Sequence, residues 1–244
     1  MTVALVTGAN RGLGFATSKA LAQAGYCVVL TARRRDRAES AAAELRANGL
    51  DVQAAELDVT SARSIAAARD QIERTVGRLD VLVNNAGILP EATDATDHEF
   101  ADLDTFRSTF ETNVFGAVAV TEALLPLLRR SAMGRIVNVS STMGSLGDQA
   151  DPSSPYFQTI VPAYQSSKAA LNSITISLSK RLADSGITVT SVCPGFVQTD
   201  LTPINREQAP LTASQAAAVV VAAATLPADA RSGTFVDSNG PVAW

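Results

Sequence analysis

Histidine and cysteine are nearly missing from this chain. Its 244 residues include one histidine, His98, and two cysteines, Cys27 and Cys193. One histidine excludes a His–His metal site, and it leaves a Ser-His-Asp triad possible only with His98 as base. Two cysteines exclude a disulfide scaffold and a Cys-rich zinc site. A surplus of one charge is also missing: 20 basic residues stand against 24 acidic ones, for a net charge of −4 and a pI near 5.1. That balance speaks against a nucleic-acid coat and against a binder of anionic membranes. Long apolar runs are lacking too. The longest, AAAVVVAAATL near the C-terminus, is shorter than the ~20 residues of a membrane span, and Pro227 stops it. The opening MTVALVTGANRG has no basic segment before its apolar residues and runs straight into glycines, so it reads as a strand rather than a signal peptide. The expectation is a cytoplasmic protein with neither nucleic-acid nor membrane partners.

What is present is a strict alternation. Short β-rich runs, apolar on both faces, fall at 3–7, 27–31, 52–57, 81–84, 135–140, 188–193 and 234–236. Between them lie segments with helical spacing, many rich in alanine, at 14–24, 38–47, 61–76, 104–130, 163–183 and 213–224. The expected fold is α/β: a doubly wound, parallel, seven-stranded sheet of Rossmann type with helices on both faces. No linker interrupts it, so residues 1–244 are expected to form one domain with the substrate site built in. One stretch, 142–162, breaks the rhythm. With three prolines and no period, it is expected to be an inserted loop, functional or mobile.

Gly8, Gly12 and Gly14 sit in TGANRGLG, at the first strand–helix junction. Glycines there let the backbone turn tightly and approach a pyrophosphate, while the following helix start offers N–H groups and a positive dipole. Arg33 follows the second run, 25 residues after Gly8, where NAD-selective sites carry an acidic residue. A guanidinium suits a 2′-phosphate instead, and Arg11 in the glycine loop could reach the same group. Arginines at a helix start oppose its dipole, so the cluster TARRRDR points to an anionic ligand. These charges favour NADP(H) over NAD(H).

Tyr164 and Lys168 stand four apart on an expected helix, and so share one face. A free tyrosine, with a pKa of ~10, is a poor acid or base at neutral pH. A nearby ammonium would lower that value. The strand at 135–140 ends in Ser140-Ser141, at the carboxyl edge of the sheet, where ligands bind in open α/β folds. By spacing alone Tyr-x-x-x-Lys is also an ordinary amphipathic face; its context is what gives it weight.

These motifs together resemble the short-chain dehydrogenase/reductase family, in its single-domain, carbonyl-reductase-like branch. TGANRGLG resembles the family's glycine loop, implying cofactor contacts from Gly8, Asn10, Arg11, Gly12, Leu13 and Gly14. Asp58-Val59 resembles the pair beside the adenine, and NNAG, with Asn85, Ala86 and Gly87, the motif bordering the cofactor. PGFVQT, with Pro194, Gly195, Val197 and Thr199, resembles the segment flanking the nicotinamide. ETNVFG, GRIVNVSS and YQSSK resemble the segments carrying the catalytic Asn113, Ser141, Tyr164 and Lys168. The resemblance implies that Tyr164 donates a proton to a carbonyl oxygen and Ser141 orients that oxygen. It also implies that Lys168 holds the nicotinamide ribose and lowers the tyrosine pKa, and that Asn113 supports a proton-relay water. The implied activity is NADPH-dependent reduction of a small or medium aldehyde or ketone. The alternatives are an NAD(P)⁺-dependent alcohol or hydroxysteroid dehydrogenase and a non-catalytic NADP-sensing protein. Ser141 and Tyr164 are 23 residues apart, more than in typical members. The insertion between them leaves both a homo-oligomer and a monomer open, and is expected to wall the substrate pocket. His98 and Cys193 are expected to be an exposed bystander and a core strand residue.

Overall fold

The protein is described by a computed structural model covering residues 1–93 and 98–244. Seven parallel strands form where the apolar runs lie, each within one residue of its expected ends. They are β1 (Thr2–Val6), β2 (Tyr26–Ala32), β3 (Val52–Glu56), β4 (Val81–Asn84), β5 (Arg135–Val139), β6 (Thr188–Val192) and β7 (Thr234–Asp237). An eighth strand, β8 (Gly240–Pro241), corrects the expected count of seven. It pairs antiparallel with β7, in the order β3-β2-β1-β4-β5-β6-β7-β8. The hairpin rests on local chemistry: the Asp237 carboxylate accepts the Asn239 N–H at 2.7 Å, and Gly240 takes φ 122°.

The helices are α1 (Gly12–Gln23), α2 (Arg35–Arg46), α3 (Ala62–Thr75), α4 (Leu103–Phe110), α5 (Ala117–Leu128), α6 (Leu146–Ala150), α7 (Pro162–Arg181), α8 (Pro203–Gln208) and α9 (Ala213–Ala224). Because strand side chains alternate, one strand feeds two cores. Ala4 and Val6 of β1 pack with α1, α2 and α9, whereas Val3 and Leu5 pack with α3 and α5 on the other face. The expected single helix over 104–130 is instead α4 and α5 joined by a π turn, Glu111–Gly116. Among the described residues, the run Leu103–Leu128 is the one helical stretch long and apolar enough to cross a bilayer, a property the sequence reading passed over. Within it, Val120, Leu124, Leu127 and Leu128 belong to the core shared with α3.

Sheet order reverses between β1 and β4, which opens a crevice at the carboxyl ends of the strands. A buried polar chain fixes the strands beside it. Asn84 donates to Asn138 at 2.9 Å, Asn138 to Thr175 at 2.8 Å, and Thr175 shares a hydrogen bond with Ser191 at 2.8 Å. This links β4, β5, α7 and β6. Residues 142–162 are less irregular than expected: Ser141 caps a short 3-10 turn, Thr142–Gly144, and Ser145 caps α6 by accepting the Asp148 N–H at 3.1 Å.

Candidate active site

The chain leaves β1 through a loop whose glycines are required by geometry. Gly8 and Gly12 sit in the left-handed region, at φ 62° and 57°. A Cβ on Gly14 would lie 2.5 Å from Asn85 Nδ2 and 2.7 Å from the Gly8 carbonyl oxygen. Asn85 holds this approach in place by donating to the Thr7 carbonyl at 2.8 Å and the Gly8 carbonyl at 3.2 Å. Arg11, the N-cap of α1, offers no side-chain cap, and the first turn carries no acidic residue. The first N–H groups of α1 thus meet the cleft without a side-chain cap, and the loop fits a pyrophosphate by shape and by dipole.

The loop forms one side of a cleft of about 400 Å³. Gly8, Arg11, Gly12, Leu13, Gly14, Asn85 and Gly87 line that side. Pro194, Gly195, Val197 and Thr199 enter from the loop after β6, Ser141 from the end of β5, and Tyr164 and Lys168 from α7. Tyr164 and Lys168 are 8% and 4% exposed, so both side chains are largely withdrawn from water. Lys168 donates to the Val139 carbonyl at 2.8 Å and lies 5.5 Å from the centre of the Tyr164 ring. Burial pushes the lysine down to about 8. It pushes the Tyr164 phenol the other way, above its ordinary value; Cys193 adds to that rise and the Ser141 hydroxyl opposes it. The expectation of a lowered tyrosine pKa is therefore corrected for the cofactor-free chain, where desolvation outweighs the hydrogen bond with Ser141.

Asn113 sits in the π turn, a helix irregularity often found at functional sites. It lies behind the cleft wall. Its Oδ1 accepts the Ile88 N–H at 2.8 Å, and its Nδ2 donates to the Ile88 carbonyl and to Ser167, both at 3.0 Å. These bonds tie the segment after NNAG to α7. Of the two serines, Ser140 is buried with its hydroxyl 3.4 Å from the Lys168 carbonyl, whereas Ser141 is half-buried.

Other expected residues stand away from the walls of the cleft. Arg33 is exposed just beyond β2. Asp58 closes its own turn by accepting from Thr60, and Val59 packs under Gly116. Ala86 backs Gly8, a Cβ on which would meet it at 3.1 Å, and Asn10 lies on the loop outside the walls. His98 is exposed and also lies outside them. The inserted segment does not wall the cleft, contrary to expectation: beyond Ser141, residues 142–161 line none of it. The substrate side is built instead by Ile88, Leu89, Pro90 and Thr93 and by Asp200, Leu201 and Asn205.

The family model described as short chain dehydrogenase matches residues 2–210. This chain is a short-chain dehydrogenase. Its relatives are oxidoreductases acting between alcohol and carbonyl groups. The dehydrogenase is 38% identical to "Short-chain dehydrogenase anuI" of Penicillium roqueforti over 227 residues, covering 91% of this chain and 87% of that one. It resembles the structure of an NADPH-bound carbonyl reductase from chicken fatty liver, with TM-score 0.85 and 27% identity, over all of both chains. It also resembles salutaridine reductase from Papaver somniferum, with TM-score 0.81 and 29% identity, over 96% of this chain and 99% of that one.

Sequence reasoning missed several residues of the dehydrogenase's site. Cys193 is buried in the core as expected but lies one residue past β6, with its thiol 3.7 Å from Thr142, and a charge on it would bear on both Tyr164 and Lys168. Its place directly before Pro194-Gly195 was the available signal. Glu91 was missed as well, and so were the ion pairs of Asp200. Asp200 pairs with Arg11 at 3.2 Å and with Arg206, joining the glycine loop to α8. Neither position carries a motif.

Proposed function

We propose that this dehydrogenase uses NADPH to reduce the carbonyl of a small or medium aldehyde or ketone, with Tyr164 as proton donor, within one domain spanning residues 1–244. The observation that carries this reading is that Tyr164, Lys168 and Ser141 open into the same cleft as the glycine loop. The NADPH named for the carbonyl reductase neighbour supports the choice of cofactor. Gly8, Gly12 and Gly14 with the start of α1 would hold the pyrophosphate, Arg33 and Arg11 the 2′-phosphate, and Asp58-Val59 the adenine end. Asn85, Ala86, Gly87, Pro194, Gly195, Val197 and Thr199 would border the nicotinamide. When bound, the cofactor supplies the hydride.

The residues supply the rest. Ser141 donates a hydrogen bond to the carbonyl oxygen and orients it. Tyr164, whose burial keeps its proton on through neutral pH, gives that proton to the oxygen as charge develops there. Lys168, a buried amine with a depressed pKa, exchanges protons near neutrality and replenishes the phenol. Asn113 holds the wall and α7 in register, and in this reading supports a relay water. Apolar walls at Ile88, Leu89, Pro90 and Leu201 favour an apolar or mixed substrate. The test is NADPH consumption over a panel of aldehydes, ketones, quinones and keto-esters. Turnover is expected with at least one class. Cofactor binding without turnover across the panel would overturn the reading.

A further inference from the structure

Helix α7 begins without a cap of its own. Its N-cap residue is Val161, whose side chain accepts nothing, and Pro162 at the first helical position has no N–H. Gln165 Oε1 accepts the Val161 N–H at 3.1 Å, and the first intrahelical bond, Gln165 N–H to the Val161 carbonyl, follows at 2.9 Å. Two donors remain, on Ala163 and Tyr164, in residues 0% and 8% exposed. Both are taken by one carboxylate from 72 and 73 residues upstream: Glu91 Oε1 accepts Ala163 N–H at 2.9 Å and Oε2 accepts Tyr164 N–H at 2.8 Å. Glu91 stands on the 3-10 turn Pro90–Thr93, whose Pro90 and Thr93 are walls of the cleft.

The carboxylate thus grips the very peptide that carries the phenol. Resting on the reading of Tyr164 as proton donor, we propose that Glu91 is a positioning residue for the reduction: it fixes the first turn of α7, and through it the Tyr164 hydroxyl, against the cleft. Buried N–H groups without an acceptor would otherwise pull that turn out of register. The carboxylate also offsets the positive end of the helix, which by itself favours phenolate. The other titratable groups acting on the phenol are Lys168 on α7 and Cys193 after β6. Both are unchanged when Glu91 is replaced.

Two variants test this, with Tyr164→Phe alongside. Glu91→Gln keeps the shape but loses the charge and one acceptor oxygen; Glu91→Ala loses both. We expect kcat for NADPH-dependent reduction to fall roughly ten- to hundredfold, as misplaced catalytic groups do. The Kd for NADPH is expected to stay within about twofold, since the glycine loop belongs to another element. In Glu91→Gln the alkaline fall of kcat is expected about half a pH unit lower, because the helix end is no longer offset. A folded Glu91→Ala enzyme with unchanged kcat would overturn the proposal. So would kcat and NADPH affinity falling in step with an unmoved pH profile, the mark of a general structural prop. If far-UV circular dichroism shows Glu91→Ala unfolded, the same two readouts on Glu91→Gln decide. Full activity in Tyr164→Phe would instead overturn the proton-donor reading. An inactive Tyr164→Phe beside fully active Glu91 variants overturns the Glu91 role alone.

Discussion

The Lys168 ammonium donates to the Val139 carbonyl oxygen at 2.8 Å, so the amine of α7 is anchored on the last residue of β5. The same burial that makes this bond strong disfavours the charge and brings the pKa down to about 8 from 10.5. Below pH 8 the folded and unfolded chains both carry the proton; between 8 and 10.5 only the unfolded chain does. The contribution of Lys168 to unfolding free energy therefore rises with pH across that window. Between pH 7 and 9.5 the unfolding free energy from urea titration is expected to move in favour of the parent over Lys168→Met by about 1–2 kcal/mol. An equal gap at both pH values would show that the amine titrates normally.

Replacing Tyr164 with Phe removes one oxygen from a side chain that is 8% exposed, leaving its ring packing in place. Under the proposed mechanism, kcat falls by at least ~10²-fold, because the proton donor is gone. NADPH binding, measured by fluorescence quenching, is expected to persist, since the glycine loop is untouched.

Cofactor selectivity is expected to rest on exposed arginines. Arg33→Ala should weaken NADPH by roughly 10–100-fold, as loss of a charge-assisted hydrogen bond does, and leave NADH nearly unchanged. Isothermal titration with both cofactors measures the split. Equal losses for the two would remove Arg33 from the 2′-phosphate.

Arg11 is held by Asp200 at 3.2 Å, in an ion pair whose side chains are 64% and 36% exposed. Such a pair is worth at most about 1 kcal/mol of stability. Asp200→Asn is thus expected to leave the urea midpoint nearly unchanged. It should tighten NADPH binding a few-fold by freeing the guanidinium for phosphate, and a loss of affinity would contradict that assignment.

Gly14 has no room for a side chain, with two polar atoms inside 3 Å of its missing Cβ. Gly14→Ala is expected to cost about 1–3 kcal/mol by overpacking and to abolish tight NADPH binding. A variant with parental affinity would show that the loop yields freely.

Much of this protein is legible in the order of its residues. Apolar runs bounded by glycines and separated by alanine-rich helices specify parallel strands, because a strand buried on both faces must be apolar on both. The glycine loop and the four-residue spacing of Tyr164 and Lys168 are legible in the same way, whereas the choice of Ser141 over Ser140 came from the family resemblance. The two-residue β8 was missed because it has almost no pattern of its own, and the π turn because helical period hides one extra residue. What no short spacing reveals is which distant groups meet. The grip of Glu91 on α7, the Asp200 bridge, Cys193 beside the phenol and the non-participation of 142–161 in the cleft wall follow from how elements pack. So does the direction of the tyrosine's shift: desolvation depends on everything that surrounds a group, and only the folded chain supplies those surroundings.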